Sequence, residues 1–209
     1  VEKNHIEALK NNFFGTINLL ELCEKFKTKN FVLISTDKSV NPRSSMGATK
    51  RLAEMALECY AGFTNHTIYS AVRFGNVIDS SGSVIPLFRE QIKYGGPITV
   101  THPDVKRYFM LISEAVSLVL NADYLSKGGE IFTLNMGDQH KILDLAKLMI
   151  RSSGLLLKDN NYPNGDIEIK YIGLSKGEKL EEELNYESNK LMQTDNPNIF
   201  KTKTNPINI

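Results

Sequence analysis

Thiol chemistry is scarce in this sequence. Its two cysteines, Cys23 and Cys59, stand far apart in helix-like stretches, and no C-x-x-C pair or Cys/His cluster occurs. That pattern reads as two reduced thiols rather than a disulfide or zinc framework. The four histidines (His5, His66, His102 and His140) lack ligand spacing, so no structural metal site is expected. No run of about 18 apolar residues occurs, so no membrane span is expected within the chain. An excess of one charge is also missing. Twenty-five Lys and Arg against 24 Asp and Glu leave a net +1, whereas a dedicated nucleic-acid binder carries a basic surplus. Among the 14 glycines no two lie two positions apart, so the G-x-G-x-x-G of a dinucleotide fold is absent, as is G-x-x-x-x-G-K-[ST]. The opening, Val1-Glu2-Lys3-Asn4-His5, is neither a signal peptide nor an initiator methionine. It stands directly before an amphipathic helix, and we read it as a cut start with the phosphate-binding turn upstream of Val1.

What is present suits a globular α/β protein. The 209 residues, 41% hydrophobic and 23% charged, can build a core without disulfides and suggest one to two domains. Ile6, Leu9, Phe13, Phe14, Ile17, Leu20 and Leu22 recur at three-to-four spacing, which predicts a helix over 5–26. Phe31–Ile34 reads as a strand buried on both faces. A loop over 35–45, a helix over 46–63 and a strand over 68–74 follow, the rhythm of a parallel sheet. Helices are expected at 84–94, 113–122 and 142–150, and strands at 98–101, 131–134 and 167–172. The stretch from Asn185 is rich in Asn, Lys and Thr and is expected to end in irregular chain.

Ligands of an open parallel sheet bind at the carboxyl ends of its strands, which here are Ser35-Thr36-Asp37-Lys38 and Gly75-Asn76. The first places a hydroxyl, a carboxyl and an amine side by side, a possible proton donor and acceptor set; its bland reading is a turn with an exposed ion pair. Lys50 follows Met46 by four residues and shares its helix face. Asn12 and Gly15 interrupt a helix that both weaken. Arg107 lies beside aromatic residues and can grip a diphosphate. Gly173–Lys179 is a glycine-flanked charged loop, fit for a ribose or phosphate or simply solvated.

The order of these segments is more specific than any one of them. Ile34-Ser35-Thr36-Asp37-Lys38-Ser39-Val40-Asn41-Pro42 and Met46-Gly47-Ala48-Thr49-Lys50-Arg51 closely resemble the nucleotide-sugar 4,6-dehydratases of the CapD-like polysaccharide-biosynthesis family, a branch of the extended short-chain dehydrogenase/reductases. Val72–Val77, Ser80–Phe88, Gly95–Pro103, Arg107–Met110, Gly128–Phe132 and Gly177–Leu180 extend the likeness to about Lys201.

The resemblance implies the carboxyl-terminal part of a Rossmann-like doubly wound parallel sheet, over 1–78 and 112–136, with a smaller α/β substrate lobe over 79–111 and 137–209. It implies Thr36, Asp37 and Lys38 as catalytic hydroxyl, acid and base, with Lys50 beside them. It implies Asn12, Ser35, Lys50 and Phe74 at NAD, taken over NADP, and Asn76, Val84, Thr99, Arg107 and Glu178 at the substrate. Met46 stands where the wider superfamily has a catalytic tyrosine, which agrees with this branch and speaks against an ordinary epimerase. The implied reaction oxidises C4 of a UDP-sugar, UDP-N-acetylglucosamine foremost. Water is then eliminated across C5 and C6, and the hydride returns at C6. A nucleotide-sugar epimerase and a non-catalytic sugar-nucleotide-binding relic remain as alternatives.

The resemblance further implies a homo-oligomer in the complete protein. It also implies a cytoplasmic location with a possible amino-terminal anchor to the inner membrane, and no turnover by these 209 residues alone. Two departures stand out: Ser175-Lys176 replaces Arg-Pro in the last loop, and Asp79 replaces a glycine.

Overall fold

A computed structural model of the chain describes residues 2, 4–63, 66–80, 82–186 and 191–202. Ser81 of the quoted motif and residues 187–190 and 203–209 of the closing stretch lie outside them. The helices, in chain order, are α1 (His5–Leu9), α2 (Gly15–Phe26), α3 (Ser45–Phe63), α4 (Val84–Lys93), α5 (Ile112–Leu125) and α6 (Ile142–Ser152). The strands of three residues or more are β1 (Asn30–Thr36), β2 (Ile68–Phe74), β3 (Ile98–Val100), β4 (Glu130–Leu134), β5 (Ile167–Tyr171), β6 (Leu191–Gln193) and β7 (Ile199–Thr202).

The chain divides into two compact units. The first joins Val1–Gly75, Ser113–Asn135 and Glu183–Ile209; the second joins Asn76–Ile112 and Met136–Glu182. A five-stranded sheet in the order β1-β2-β4-β7-β6 runs through the first unit. β1, β2 and β4 are parallel, as a Rossmann-type α/β fold requires, while β7 and β6 add on antiparallel. Leu20, Cys23, Leu33, Ala53, Leu57, Tyr69, Ala71 and Ile131 form its core between α2, α3 and the sheet. In the second unit β3 pairs with β5, and Phe88 of α4 packs with Ile142, Ala146 and Ile150 of α6 over Ile98, Val100 and Ile167.

Two expectations are corrected. The stretch after Asn185 does not belong with the second unit, and its expected irregular end lies outside the described residues. β6 and β7 extend the first unit's sheet, with Ile199 and Thr202 buried. Polar composition hid this because pairing with β4 satisfies the backbone of β7, while only Ile199 and Thr202 of its four side chains are fully buried. Phe31–Ile34 is not buried on both faces either. Leu33 is buried but Ile34 is 45% exposed, since successive side chains of β1 point to opposite faces and the Ile34 face is open among the described residues.

The long first helix is also not uniform. Lys10–Phe14 forms a π turn between α1 and α2, in which the Asn12 carbonyl accepts from Thr16 Oγ1 at 2.7 Å. Such turns release a helix from its regular pitch, commonly at functional sites.

Candidate active site

β1 ends at Thr36, and residues Asp37–Ser39 turn directly into a single 3₁₀ turn. Thr36 opens that turn with extended backbone, and its Oγ1 accepts from the Lys38 amide at 3.4 Å. Asp37 is wholly buried. Its Oδ1 accepts from Thr36 Oγ1 at 2.8 Å and from Lys38 Nζ at 2.9 Å. Its Oδ2, also buried, finds no hydrogen-bond partner among the described residues. The bland expectation of an exposed ion pair therefore fails. A carboxyl out of water with one oxygen unpartnered is costly unless a further group completes it.

Helix α3 presses against this turn. A methyl group on Gly47 would stand 2.2 Å from the Lys38 carbonyl oxygen and 3.0 Å from its carbon, so only glycine allows the approach. Gly47→Ala is expected to lower both melting temperature and turnover. The clash outweighs the roughly 1 kcal/mol that alanine gains in a helix interior. Unchanged thermal unfolding would contradict this packing.

One turn on, Lys50 Nζ donates to the Ile34 carbonyl at 3.0 Å. Burial pushes its pKa below the usual lysine range, opposed in part by Glu54. Asn12 reaches the neighbouring position, donating to Thr49 Oγ1 at 3.0 Å. Phe74, half-buried at the end of β2, pairs in register with Thr36.

Ser35 does not face a ligand with its side chain. Its buried hydroxyl donates to Glu54 Oε1 at 2.6 Å. Glu54 is the residue that sequence reasoning missed. Its carboxylate, fully buried on α3, also takes Arg73 Nε at 2.7 Å, Arg73 Nη2 at 2.6 Å and Arg51 Nη1 at 3.0 Å. Burial raises the Glu54 pKa, but the Arg73 hydrogen bonds and charge, helped by Ser35 and Arg51, outweigh it and hold the carboxyl below the usual range. A signal was available. Arg73 is a charge inside an otherwise apolar strand, which demands a buried counter-charge. The parallel register sets Ser35 beside Arg73, so both reach Glu54.

The second unit holds a cavity of about 270 Å³ whose lining includes Asn76, Val84, Thr99, Arg107 and Glu178. The structure thus brings together all five residues expected at the substrate. Arg107 is buried, and its Nη2 donates to Glu178 Oε1 at 2.9 Å, an oxygen that also accepts from Thr101 Oγ1 at 2.9 Å. Arg107 Nη1 donates to the Lys106 and Leu180 carbonyls at 2.7 and 3.3 Å. The guanidinium is therefore fixed in place and partly neutralised. Asp79 adopts a left-handed φ of 60°, where glycine is the easiest residue, and its carboxylate pairs with Arg89 at 3.0 Å. Among the described residues no cluster of metal-ligating side chains occurs, and no helix is long and apolar enough to cross a membrane.

The polysaccharide biosynthesis protein family matches residues 1–204. The chain belongs to that family. It is 52% identical over 184 residues to the capsular polysaccharide biosynthesis protein CapD of Staphylococcus aureus, a match covering 88% of this chain and 30% of CapD. It is 35% identical over 181 residues to UDP-glucose 4-epimerase of Rickettsia rickettsii, covering 86% of this chain and 50% of that enzyme. This member thus spans about a third to a half of the length of these relatives. Among solved structures, Pen from Bacillus thuringiensis superposes with a TM-score of 0.85 at 36% identity, over 96% of this chain and 60% of that one. The dTDP-glucose 4,6-dehydratase from Bacillus anthracis, solved with NAD, shares the fold with a TM-score of 0.68 at 18% identity, over 86% and 60% of the two chains.

Proposed function

We propose that this family member is part of an NAD-dependent 4,6-dehydratase acting on a UDP-sugar, with UDP-N-acetylglucosamine the first substrate to try. The observation that carries the reading is the buried Asp37 with an unpartnered oxygen beside Lys38 and Thr36. The methionine at position 46 supports it, because a thioether cannot take the proton that an epimerase tyrosine handles.

The residues at the β1 and β2 ends fit the nicotinamide-ribose part of NAD. The Lys50 ammonium, half-buried at the end of β1, suits ribose hydroxyls. Ser35 and Phe74 contribute backbone and ring surface there, and Asn12 steadies α3 through Thr49. When bound, NAD supplies a reversible hydride acceptor. A 4-keto sugar has an acidified C5 proton, which Lys38 takes as base. Asp37 delivers a proton to the departing C6 hydroxyl, and the C5–C6 double bond forms as water leaves. Thr36 orients Asp37 throughout. Arg107, Asn76 and Glu178 take the diphosphate and ribose, Val84 and Thr99 the nucleoside. Held by these contacts, Arg107 Nη2 keeps a second N–H for a charge-assisted bond without rotamer loss.

The complete protein incubated with NAD and UDP-N-acetylglucosamine is expected to release a 4-keto-6-deoxy product, seen as loss of one water by mass spectrometry. A C4 epimer in its place would establish the epimerase alternative, and UDP-sugar binding with no turnover the non-catalytic one. Arg107→Met is expected to weaken UDP binding by roughly ten- to a hundredfold, the worth of charge-assisted bonds. Calorimetric titration that finds unchanged affinity would remove Arg107 from this role.

A further inference from the structure

Ser39 closes the Asp37–Ser39 turn and is buried. Its Oγ lies 2.7 Å from the Thr36 carbonyl and 2.8 Å from Glu54 Oε1. A serine has one hydroxyl proton, so two acceptors share it. This geometry holds only while the Glu54 carboxylate stays where the Arg73 fork puts it. The Ser39 carbonyl accepts from the Tyr186 hydroxyl at 3.0 Å. The Tyr186 ring in turn lies 5.7 Å from the Arg73 guanidinium and 6.0 Å from that of Arg51, within cation–π range. The turn is thus held at Ser39 by two side chains from distant parts of the sequence, Tyr186 at its carbonyl and Glu54 at its hydroxyl, and both are tied to Arg73. Stability alone does not call for this device, since an apolar pair of equal volume commonly serves as well or better than a buried ion pair.

We propose that Glu54 and Tyr186 are positioning residues that act through Ser39 to fix the Thr36–Asp37–Lys38 turn for proton transfer. The proposal rests on the dehydratase reading only for the choice of turnover assay. Two variants of the complete protein test it without leaving a buried charge unpaired: Tyr186→Phe keeps the ring and Ser39→Ala removes one hydroxyl. Each is expected to lower kcat by about tenfold or more with KM within twofold, because small misplacements act on chemistry before binding. Each is also expected to speed hydrogen exchange of the amides of residues 36–41 in the substrate-free protein, a readout that needs no reaction. A shift of melting temperature with kcat and exchange of 36–41 unchanged would assign these contacts to structure alone and overturn the proposal. If the parent protein yields no 4-keto product, the dehydratase reading falls. The positioning claim is then decided by the exchange of 36–41, which must quicken in both variants or the claim fails too.

Discussion

Arg73→Met is expected to lose about 3–5 kcal/mol of stability, the usual cost of stripping one partner from a buried pair. Methionine fills much of the arginine's volume, so the loss comes from Glu54. That carboxylate is completely buried and would keep only Arg51, Ser35 and Ser39 as polar partners among the described contacts. For a unit of this size such a loss corresponds to a fall in melting temperature of roughly 10 °C or more. The double variant Glu54→Leu/Arg73→Met removes both charges and is expected to regain most of that stability. Calorimetry of the parent, single and double variants checks this. Equal destabilisation of single and double variants would show that volume, rather than the unpaired carboxylate, sets the cost. The double variant should remain slow in turnover, because Ser39 would still have lost the acceptor that orders it.

Lys38→Gln is expected to reduce kcat by at least about a hundredfold, within the span that a positioned general base contributes. Glutamine retains a donor for Asp37 but cannot accept the C5 proton. Affinity for UDP should hold, since the nucleotide is assigned to the Arg107 cavity. The measurement is steady-state turnover beside a calorimetric UDP titration on the same preparation. Near-normal turnover would exclude Lys38 as the base. Solvent deuterium incorporation at C5 of recovered substrate offers an independent view: it should vanish in Lys38→Gln if Lys38 is the group that removes that proton.

Periodicity carried most of the fold. The β2 strand over 68–74 and the α6 helix are legible because apolar spacing decides them. The β6–β7 pair was not, since these two short strands bury only Ile199 and Thr202 and otherwise read as polar chain. The Thr36–Lys38 turn was legible as a cluster of polar side chains at a strand end, but its burial was not, because neighbouring polar residues carry no signal of depth. Asp37 is sealed by the approach of Gly47 and the packing of α3, which are long-range facts. The Arg107–Glu178 contact joins residues 71 positions apart. No local pattern could announce that pairing, although both residues were recognisable as candidates. Tyr186 escaped for the same reason, because its partners lie on β2, α3 and the turn after β1.

The division of the first unit into three stretches of sequence has a consequence for the order of synthesis. A ribosome completes the whole of Asn76–Ile112 and Met136–Glu182 before it reaches Tyr186 and β7. The second unit can therefore pack its own core while the first unit's sheet still lacks β6 and β7. Closing the sheet must wait for contacts of very long sequence separation, the slow kind. Until Tyr186 emerges, the Ser39 carbonyl is without the hydroxyl donor that holds it. The turn that carries Asp37 and Lys38 thus gains its Tyr186 contact only after the whole of the second unit has been made.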